Sequence, residues 1–324
     1  AEAGGNTQAS WLDYFEVGAR QRIAQLAPRL TAWRPDWVIH EETELAGPVV
    51  AASIGVRSIV HGLGPIPPPR LLQWFAAAIE RLAPNGASTE VLNAWRGATY
   101  LHLCPSGLSL DQEPIWSDVV SLRPTTPGWV EDPALTRRIE RLPHARSVFV
   151  TLGTVYSGNM DALVAAVEGL QGHAVNLIVA VGAAGDPSLV GGYGKHVLAE
   201  RLVPLASVLA RCTAVVSQGG SGVMFGAMAH GLPQPMLPQG ADQFRNAEVC
   251  ARTGAALALM PQDATPGAIG NAVRRLLNES GFACAARRLR DQIVAMPDAD
   301  VVIAALAASR RTTVSTQHTF LING

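Results

Sequence analysis

Hydrophobic positions along the chain follow two alternating spacings, which predict helices and strands in turn. Between residues 10 and 33 the apolar side chains recur every three or four residues, as on one face of a helix. Short apolar runs at residues 37–40 and 57–61 predict strands, with a helix between them at residues 46–54. Strands that alternate with helices favour a parallel sheet covered by helices on both faces. The pattern therefore predicts an α/β fold.

Prolines divide this pattern into two parts. Six prolines lie between residues 105 and 146, where the alternation stops and an irregular connector is expected. The alternation resumes with the apolar run at residues 147–151 and continues through further strands and helices. We predict a first domain over residues 1–125, a linker over 126–146, a second domain over 147–296, and a C-terminal helix and tail over 297–324.

Composition excludes several classes of partner. The net charge is -1 and only 16% of the 324 residues are charged, so no basic field would recruit nucleic acid. No apolar run approaches the ~20 residues needed to cross a bilayer, and the first residues do not have the pattern of a signal peptide. The four cysteines form no Cys-x-x-Cys pair, which favours reduced thiols over a zinc cluster. We therefore expect a cytoplasmic protein that binds neither nucleic acid nor a membrane.

The segment 214–257 carries the strongest chemical signal. A strand is predicted to end at Ser217, and Gly219 and Gly220 would let the backbone turn tightly before a helix that begins near Ser221. The free N–H groups and the positive dipole end of such a helix bind anions, and a pyrophosphate suits this position. A plain glycine turn with Ser221 as the helix N-cap explains the same residues equally well.

A second polar pair lies where the next predicted strand leads into a helix. Asp242 and Gln243 offer hydrogen-bond acceptors and donors for a polyhydroxylated ligand, although Asp242 would also serve as a helix N-cap. The carboxyl ends of parallel strands share one edge of the sheet, where ligands of such sheets bind. A diphosphate site would therefore lie beside a sugar site, and a nucleotide sugar satisfies both.

The run GGSG…AHGLPQPMLPQGADQFRNA, which begins at Gly219, resembles the signature of GT-B-fold, nucleotide-sugar-dependent glycosyltransferases. It is most similar to the bacterial enzymes that glycosylate polyketides and other natural products, and the resemblance extends over nearly all of residues 10–310. It implies two Rossmann-like domains that face each other across a cleft. The first would bind a small-molecule acceptor, polyketide or aromatic, and the second a UDP- or dTDP-sugar. It also implies an inverting transfer that needs no metal ion and no cofactor.

The resemblance implies a role for each matching residue of the second domain. The residues implied to hold the diphosphate are Thr154, Gln218, Gly219, Gly220, Ser221 and Gly222. The nucleobase would contact the backbone of Leu205, and the sugar would contact Asp242 and Gln243. The family has a histidine at the position of Gln218. Since glutamine donates a hydrogen bond but has no proton to give at neutral pH, we expect a weakened contact with phosphate.

The first domain matches only the later part of the family's domain. We expect about 80 residues to be lacking, including the loop that supplies the usual catalytic histidine. The candidates for the base are therefore Glu41, Glu42 and His61, which follow or end predicted strands. An incomplete sheet would expose an edge through which a homodimer could form. A catalytically impaired homologue that binds nucleotide or assists a partner protein is an alternative function, and a sugar-nucleotide epimerase is another.

Overall fold

Two parallel sheets, each with its own helices, organise the chain. The structure is a computed structural model that describes residues 5–108, 114–125, 132–153 and 160–309, with side chains described from residue 15 to residue 308 within these ranges. Thr154, one of the implied diphosphate ligands, lies outside the described residues. The described chain divides into two units. The first contains residues 5–103, 114–122 and 297–309, and the second contains residues 104–108, 123–125, 132–153 and 160–296.

The first unit contains a four-stranded sheet. Its strands are β1 (Trp37–Glu41), β2 (Arg57–His61), β3 (Thr99–His102) and β4 (Asp118–Ser121). All neighbours pair in parallel, and the order in space is the order along the chain. The helices that precede or connect these strands are α1 (Gly5–Trp33), α2 (Ala46–Ser53), α3 (Pro69–Leu82) and α4 (Ser88–Arg96). The carboxyl ends of β1 and β2 therefore lie side by side, with Glu41 opposite His61.

The second unit contains a six-stranded sheet. In chain order its elements are α5 (Pro133–Glu140), β5 (Ser147–Thr151), α6 (Met160–Gly169), β6 (Asn176–Ala180), α7 (Ser188–Gly191), β7 (Val197–Glu200), α8 (Leu205–Leu209), β8 (Ala214–Ser217), α9 (Ser221–Ala229), β9 (Gln234–Met236), α10 (Gln243–Arg252), β10 (Ala256–Ala258), α11 (Pro266–Asn278) and α12 (Ser280–Ala295). A final helix, α13 (Ala299–Ser309), belongs to the first unit. The strand order is β7-β6-β5-β8-β9-β10, which is the Rossmann order. All strands are parallel, and the order in which successive strands are added to the sheet reverses between β5 and β8.

Alternate residues of the central strands pack on opposite faces of this sheet. In β5, Val148 and Val150 belong to one buried cluster, which Val167 of α6 also joins. Phe149 belongs to a second cluster on the other face, together with Ala227 of α9. Strands that are apolar on both faces must be covered by helices on both faces, and the helices between the strands provide this cover. The predicted α/β fold is confirmed.

The proline-rich stretch contains regular structure that the sequence pattern did not predict. The expectation of an irregular connector over residues 105–146 is wrong for β4 and α5. β4 is short and mostly exposed, so it has no apolar run to reveal it. α5 begins at Asp132, whose carboxylate accepts hydrogen bonds from the N–H groups of Ala134 and Leu135 at 2.9 and 3.0 Å. Pro133 follows as the first helical residue, where a proline is well tolerated.

Four further short elements, α4, α7, β7 and β10, were also not predicted. With nine, four, four and three residues, they are too short for a hydrophobic period to be recognised. Among the helices that the structure describes, none combines the length and the apolar character required to cross a membrane.

Candidate functional site

Two loops meet where the strand order of the second sheet reverses. Thr151, the last residue of β5, pairs with Ser217, the last residue of β8, so the loops that follow leave the sheet side by side. Both loops turn through a glycine in the left-handed region, Gly153 with φ +74° and Gly219 with φ +83°. Only glycine adopts this conformation without steric cost. Open α/β sheets bind their ligands at this reversal point, beyond the carboxyl ends of the strands.

Gln218 fills the space between the two loops. Its side chain is only 6% exposed. A Cβ atom added at Gly153 would overlap Nε2 of Gln218, and a Cβ added at Gly220 would lie 2.9 Å from the same atom. The carboxamide oxygen is buried and has no hydrogen-bond partner among the described residues. This oxygen accepts hydrogen bonds, so a group that donates one, such as a hydroxyl, could satisfy it, whereas a phosphate oxygen could not.

The helix α9 begins directly after this turn. Gly220 is its N-cap, and no side chain caps the first turn. The alternative in which Ser221 is the N-cap is therefore wrong, because Ser221 is the first helical residue. Gly222 is exposed, and a Cβ there would meet no atom within 4 Å. Among the described residues no side chain caps the first N–H groups of α9, and helix N-termini of this kind, with their positive dipole end, can bind anions.

Ser221, Asp242 and Asn246 form a hydrogen-bonded cluster beside the turn. The Ser221 hydroxyl donates to Oδ2 of Asp242 over 3.0 Å. Nδ2 of Asn246 donates to the same carboxylate oxygen at 2.9 Å and to the carbonyl oxygen of Gly219 at 2.8 Å. Asp242 occupies the N-cap position of α10, as its alternative role predicts, but its side chain makes no capping hydrogen bond to that helix. The structure therefore brings Asp242 to the glycine turn.

Gln243 and Leu205 also lie beyond carboxyl ends of strands. Gln243 is buried, and its Oε1 accepts hydrogen bonds from the backbone N–H groups of Gln239 at 2.8 Å and Gly240 at 3.2 Å. This carboxamide therefore holds the loop between β9 and α10 in place. Leu205 follows β7, starts the short helix α8, and is only partly buried against the second apolar cluster. The contacts of both residues with a ligand remain predictions.

The candidates for the base lie together in the first unit. Both carboxylate oxygens of Glu41 accept hydrogen bonds from Thr43, one from its N–H at 2.7 Å and one from its hydroxyl at 2.6 Å. Glu42 is buried, and its carboxylate accepts a hydrogen bond of 2.8 Å from the Tyr100 hydroxyl. The carbonyl oxygen of His61 accepts the N–H of Glu42 at 3.2 Å. Glu41 thus stabilises a local turn, and the role of each residue as a base stays a prediction.

Two other histidines of the first unit, the buried His40 and the half-buried His102, have shifted pKa values. His40 is buried, with Nδ1 2.9 Å from the carbonyl oxygen of Glu41. Burial lowers the pKa of His40 and also that of His102 below their ordinary value, which favours the neutral imidazole. Within the part of the chain that the structure describes, no group of three or more His, Cys, Asp or Glu side chains could hold a metal ion.

Sequence reasoning missed Asn246 and Gly153. Asn246 follows Asp242 by four residues, which places both on one side of α10, and this spacing was a usable signal. Gly153 follows a predicted strand, but its contact with Gln218 depends on which strands are neighbours. The sequence pattern alone does not determine that order.

Comparison with known proteins agrees with this architecture. Residues 173–308 match the family model described as "Erythromycin biosynthesis protein CIII-like, C-terminal domain". The chain is 34% identical to an L-demethylnoviosyl transferase of Streptomyces niveus, over 91% of this chain and 76% of that protein. It is 31% identical to the elloramycin glycosyltransferase ElmGT of Streptomyces olivaceus, over 82% and 66% of the two chains. The solved spinosyn rhamnosyltransferase SpnG superposes with a TM-score of 0.81 at 24% identity, over 95% and 82%.

Proposed function

Because the chain belongs to the family of GT-B glycosyltransferases of bacterial natural-product biosynthesis, we propose that it transfers a sugar from a UDP- or dTDP-sugar to a small polyketide or aromatic acceptor. One observation supports the donor site above all others. The buried carboxamide of Gln218 and the uncapped first turn of α9 lie together at the point where the strand order reverses. A diphosphate there would accept hydrogen bonds from the first N–H groups of α9 and from Nε2 of Gln218.

The remaining donor contacts follow from the position of the diphosphate. Asp242 and Gln243 would bind the sugar hydroxyls, and the backbone at Leu205 would bind the nucleobase. Thr154 would contribute a further diphosphate contact. The solved structure of the spinosyn rhamnosyltransferase SpnG complexed with thymidine diphosphate makes dTDP the first nucleotide to test.

The proposed reaction is an inverting displacement at the anomeric carbon. The acceptor oxygen forms a bond to that carbon while the bond from the carbon to the diphosphate oxygen breaks. The electron pair leaves with the nucleoside diphosphate, and the acceptor proton passes to a base, for which Glu41, Glu42 and His61 are the candidates. The α9 dipole and N–H groups would stabilise the charge that develops on the diphosphate, so the proposed chemistry requires no metal ion.

Calorimetric titration with dTDP and with UDP tests the donor site. We expect micromolar binding of at least one nucleotide by the unmodified protein. We expect Gln218→Leu to weaken that binding about 10-fold, because one hydrogen bond to a charged group is lost. Gln171→Leu is the matched control, since the carboxamide of Gln171 donates only to the carbonyl oxygen of Val167 at the end of α6. Absence of binding in a protein that melts cooperatively would refute the proposed donor site.

A donor-binding protein without turnover is the second candidate function. Gln218 favours it, because a neutral carboxamide provides less stabilisation for a departing diphosphate than a charged donor. Hydrolysis of a bound dTDP-sugar separates the two functions, since a transferase hydrolyses its donor slowly and a pure binding protein does not. A Gln218→His variant that gains hydrolysis would show that the remaining machinery is intact.

A further inference from the structure

Asn246 connects the two halves of the proposed donor site. The residue is on the first turn of α10 and is only 1% exposed. Its Nδ2 lies 2.8 Å from the Gly219 carbonyl oxygen, 2.9 Å from Oδ2 of Asp242 and 3.3 Å from the Ser221 hydroxyl oxygen. These three atoms belong to the glycine turn, to the loop before α10 and to the first turn of α9. One carboxamide nitrogen therefore bridges three separate segments.

The partners determine which way the carboxamide faces. A carbonyl oxygen and a carboxylate oxygen can only accept hydrogen bonds, so the atom that contacts both must be the Asn246 nitrogen. The Ser221 hydroxyl gives its own proton to Asp242, and its oxygen can then accept the longer contact from Asn246. Nδ2 has two protons, which the two shorter contacts use, so the 3.3 Å contact to the Ser221 oxygen shares one of these protons and is the weaker branch. The Asn246 carboxamide oxygen is buried and has no partner among the described residues.

The cluster uses one side of the Asp242 carboxylate and leaves the other side available. Oδ2 accepts two hydrogen bonds, whereas Oδ1 accepts none from the described residues. Asp242 is itself exposed, so without these donors its side chain would sample several rotamers. The same nitrogen holds the Gly219 carbonyl and so fixes the turn from which α9 begins.

We propose that Asn246 is a positioning residue that holds the Gly219–Ser221 turn and the Asp242 carboxylate in one fixed arrangement, so that the diphosphate and sugar subsites form as a single unit. The identity of the two ligands rests on the proposed function, whereas the mechanical coupling rests on the contacts alone. Asn246 need not touch either ligand, because it acts through Gly219, Ser221 and Asp242.

Hydrogen exchange of the ligand-free protein tests the coupling directly. Asn246→Leu keeps the branching and the number of heavy atoms of the side chain and removes the donor. We expect faster exchange at two separate segments together, residues 219–223 and residues 240–243. Asn271→Leu is the matched control, because Asn271 is exposed on α11 and contacts only Arg274. If leucine prevents folding, Asn246→Ser provides the same comparison with one hydroxyl retained.

Titration with dTDP provides the second readout. We expect Asn246→Leu to weaken dTDP binding about 10-fold, and Ser221→Ala to weaken it less. Because both residues act through one cluster, the double variant should bind no more weakly than Asn246→Leu alone. A residue needed only for packing would give additive effects on dTDP affinity.

Each outcome decides one question. Faster exchange confined to α10, or spread over the whole second unit, overturns the coupling, as does additivity in the titrations. Faster exchange in both segments supports the coupling, even if neither nucleotide binds. An unmodified protein that melts cooperatively but binds neither dTDP nor UDP overturns the proposed function, and the exchange data still decide the coupling.

Discussion

Substitution of Gly153 by alanine should displace Gln218 from its position between the two loops. Gly153 has φ +74°, and a Cβ there would overlap Nε2 of Gln218 and lie 3.1 Å from its Cδ. Gly172 provides a matched control. Its φ is +80°, close to that of Gly153, but a Cβ at Gly172 would meet no atom within 4 Å. The two variants therefore share the backbone strain and differ in the collision with Gln218.

The magnitudes follow from these two terms. A left-handed conformation costs a residue with a Cβ about 1–2 kcal/mol. The stiffer unfolded chain offsets about 0.4–1 kcal/mol of that cost. Gly172→Ala should therefore reduce the free energy of unfolding by about 1 kcal/mol. In Gly153→Ala the overpacking adds about 1–3 kcal/mol, because the buried carboxamide must leave its rotamer or shift the loop.

Denaturant unfolding and dTDP titration of both variants provide the assay. We expect Gly153→Ala to be the less stable variant by about 1–3 kcal/mol and to bind dTDP about 10-fold more weakly. Gly172→Ala should bind dTDP normally. In a Gln218→Ala background, Gly153→Ala should reduce the free energy of unfolding by no more than Gly172→Ala does, because the colliding atoms are absent. Equal losses of stability for Gly153→Ala and Gly172→Ala in the unmodified background would refute the described contact.

Three further predictions concern other parts of the chain. Asn176→Ala should reduce the free energy of unfolding by about 2–4 kcal/mol in denaturant titrations without changing dTDP affinity, because buried Asn176 makes three hydrogen bonds at the start of β5. In the folded protein only the exposed Cys284 should react rapidly with a thiol reagent, since the other three thiols are buried. Burial raises the pKa of Cys212, for example, to about 12. Cys284→Ser should therefore abolish the rapid phase of the reaction. The first unit should lose stability as the pH falls below 6.5, because burial lowers the pKa of His40 in the folded state and the unfolded chain takes up the proton first. His40→Gln should flatten that dependence in denaturant midpoints measured from about pH 5 to about pH 8.

Sequence reasoning predicted the central part of the fold and missed its margins. β5, β6 and β8 are buried on both faces, so their apolar runs were visible without the structure. β4 has only four residues and is mostly exposed, so it lacks the apolar alternation or apolar run by which a buried strand is recognised in a sequence. The helix α5 was hidden by prolines that were interpreted as breakers, although Asp132 and Pro133 form a typical helix start.

The candidate site divides in the same way. The glycine turn, Ser221 and Asp242 stand in one contiguous motif, so their proximity to each other could be predicted from it. The contact between Gly153 and Gln218 could not, because it depends on β5 and β8 being neighbours. The hydrogen bond between Ser221 and Asp242 was also unpredictable, since the roles considered for each were a ligand contact or a helix cap and not a contact with the other.

The pairing of β5 with β8 also determines when the proposed donor site can form during folding. Val148 pairs with Ala214 across 66 positions of sequence, with β6 and β7 completed in between. Contacts of such long range form late, because the intervening chain must first lose its conformational freedom. Gly153 and Gln218 therefore meet only after the sheet has closed around β5. A nucleotide that binds at the proposed donor site would not assist the early steps of folding and would slow unfolding instead. dTDP should therefore lengthen the lifetime of the native second unit while its refolding rate stays unchanged.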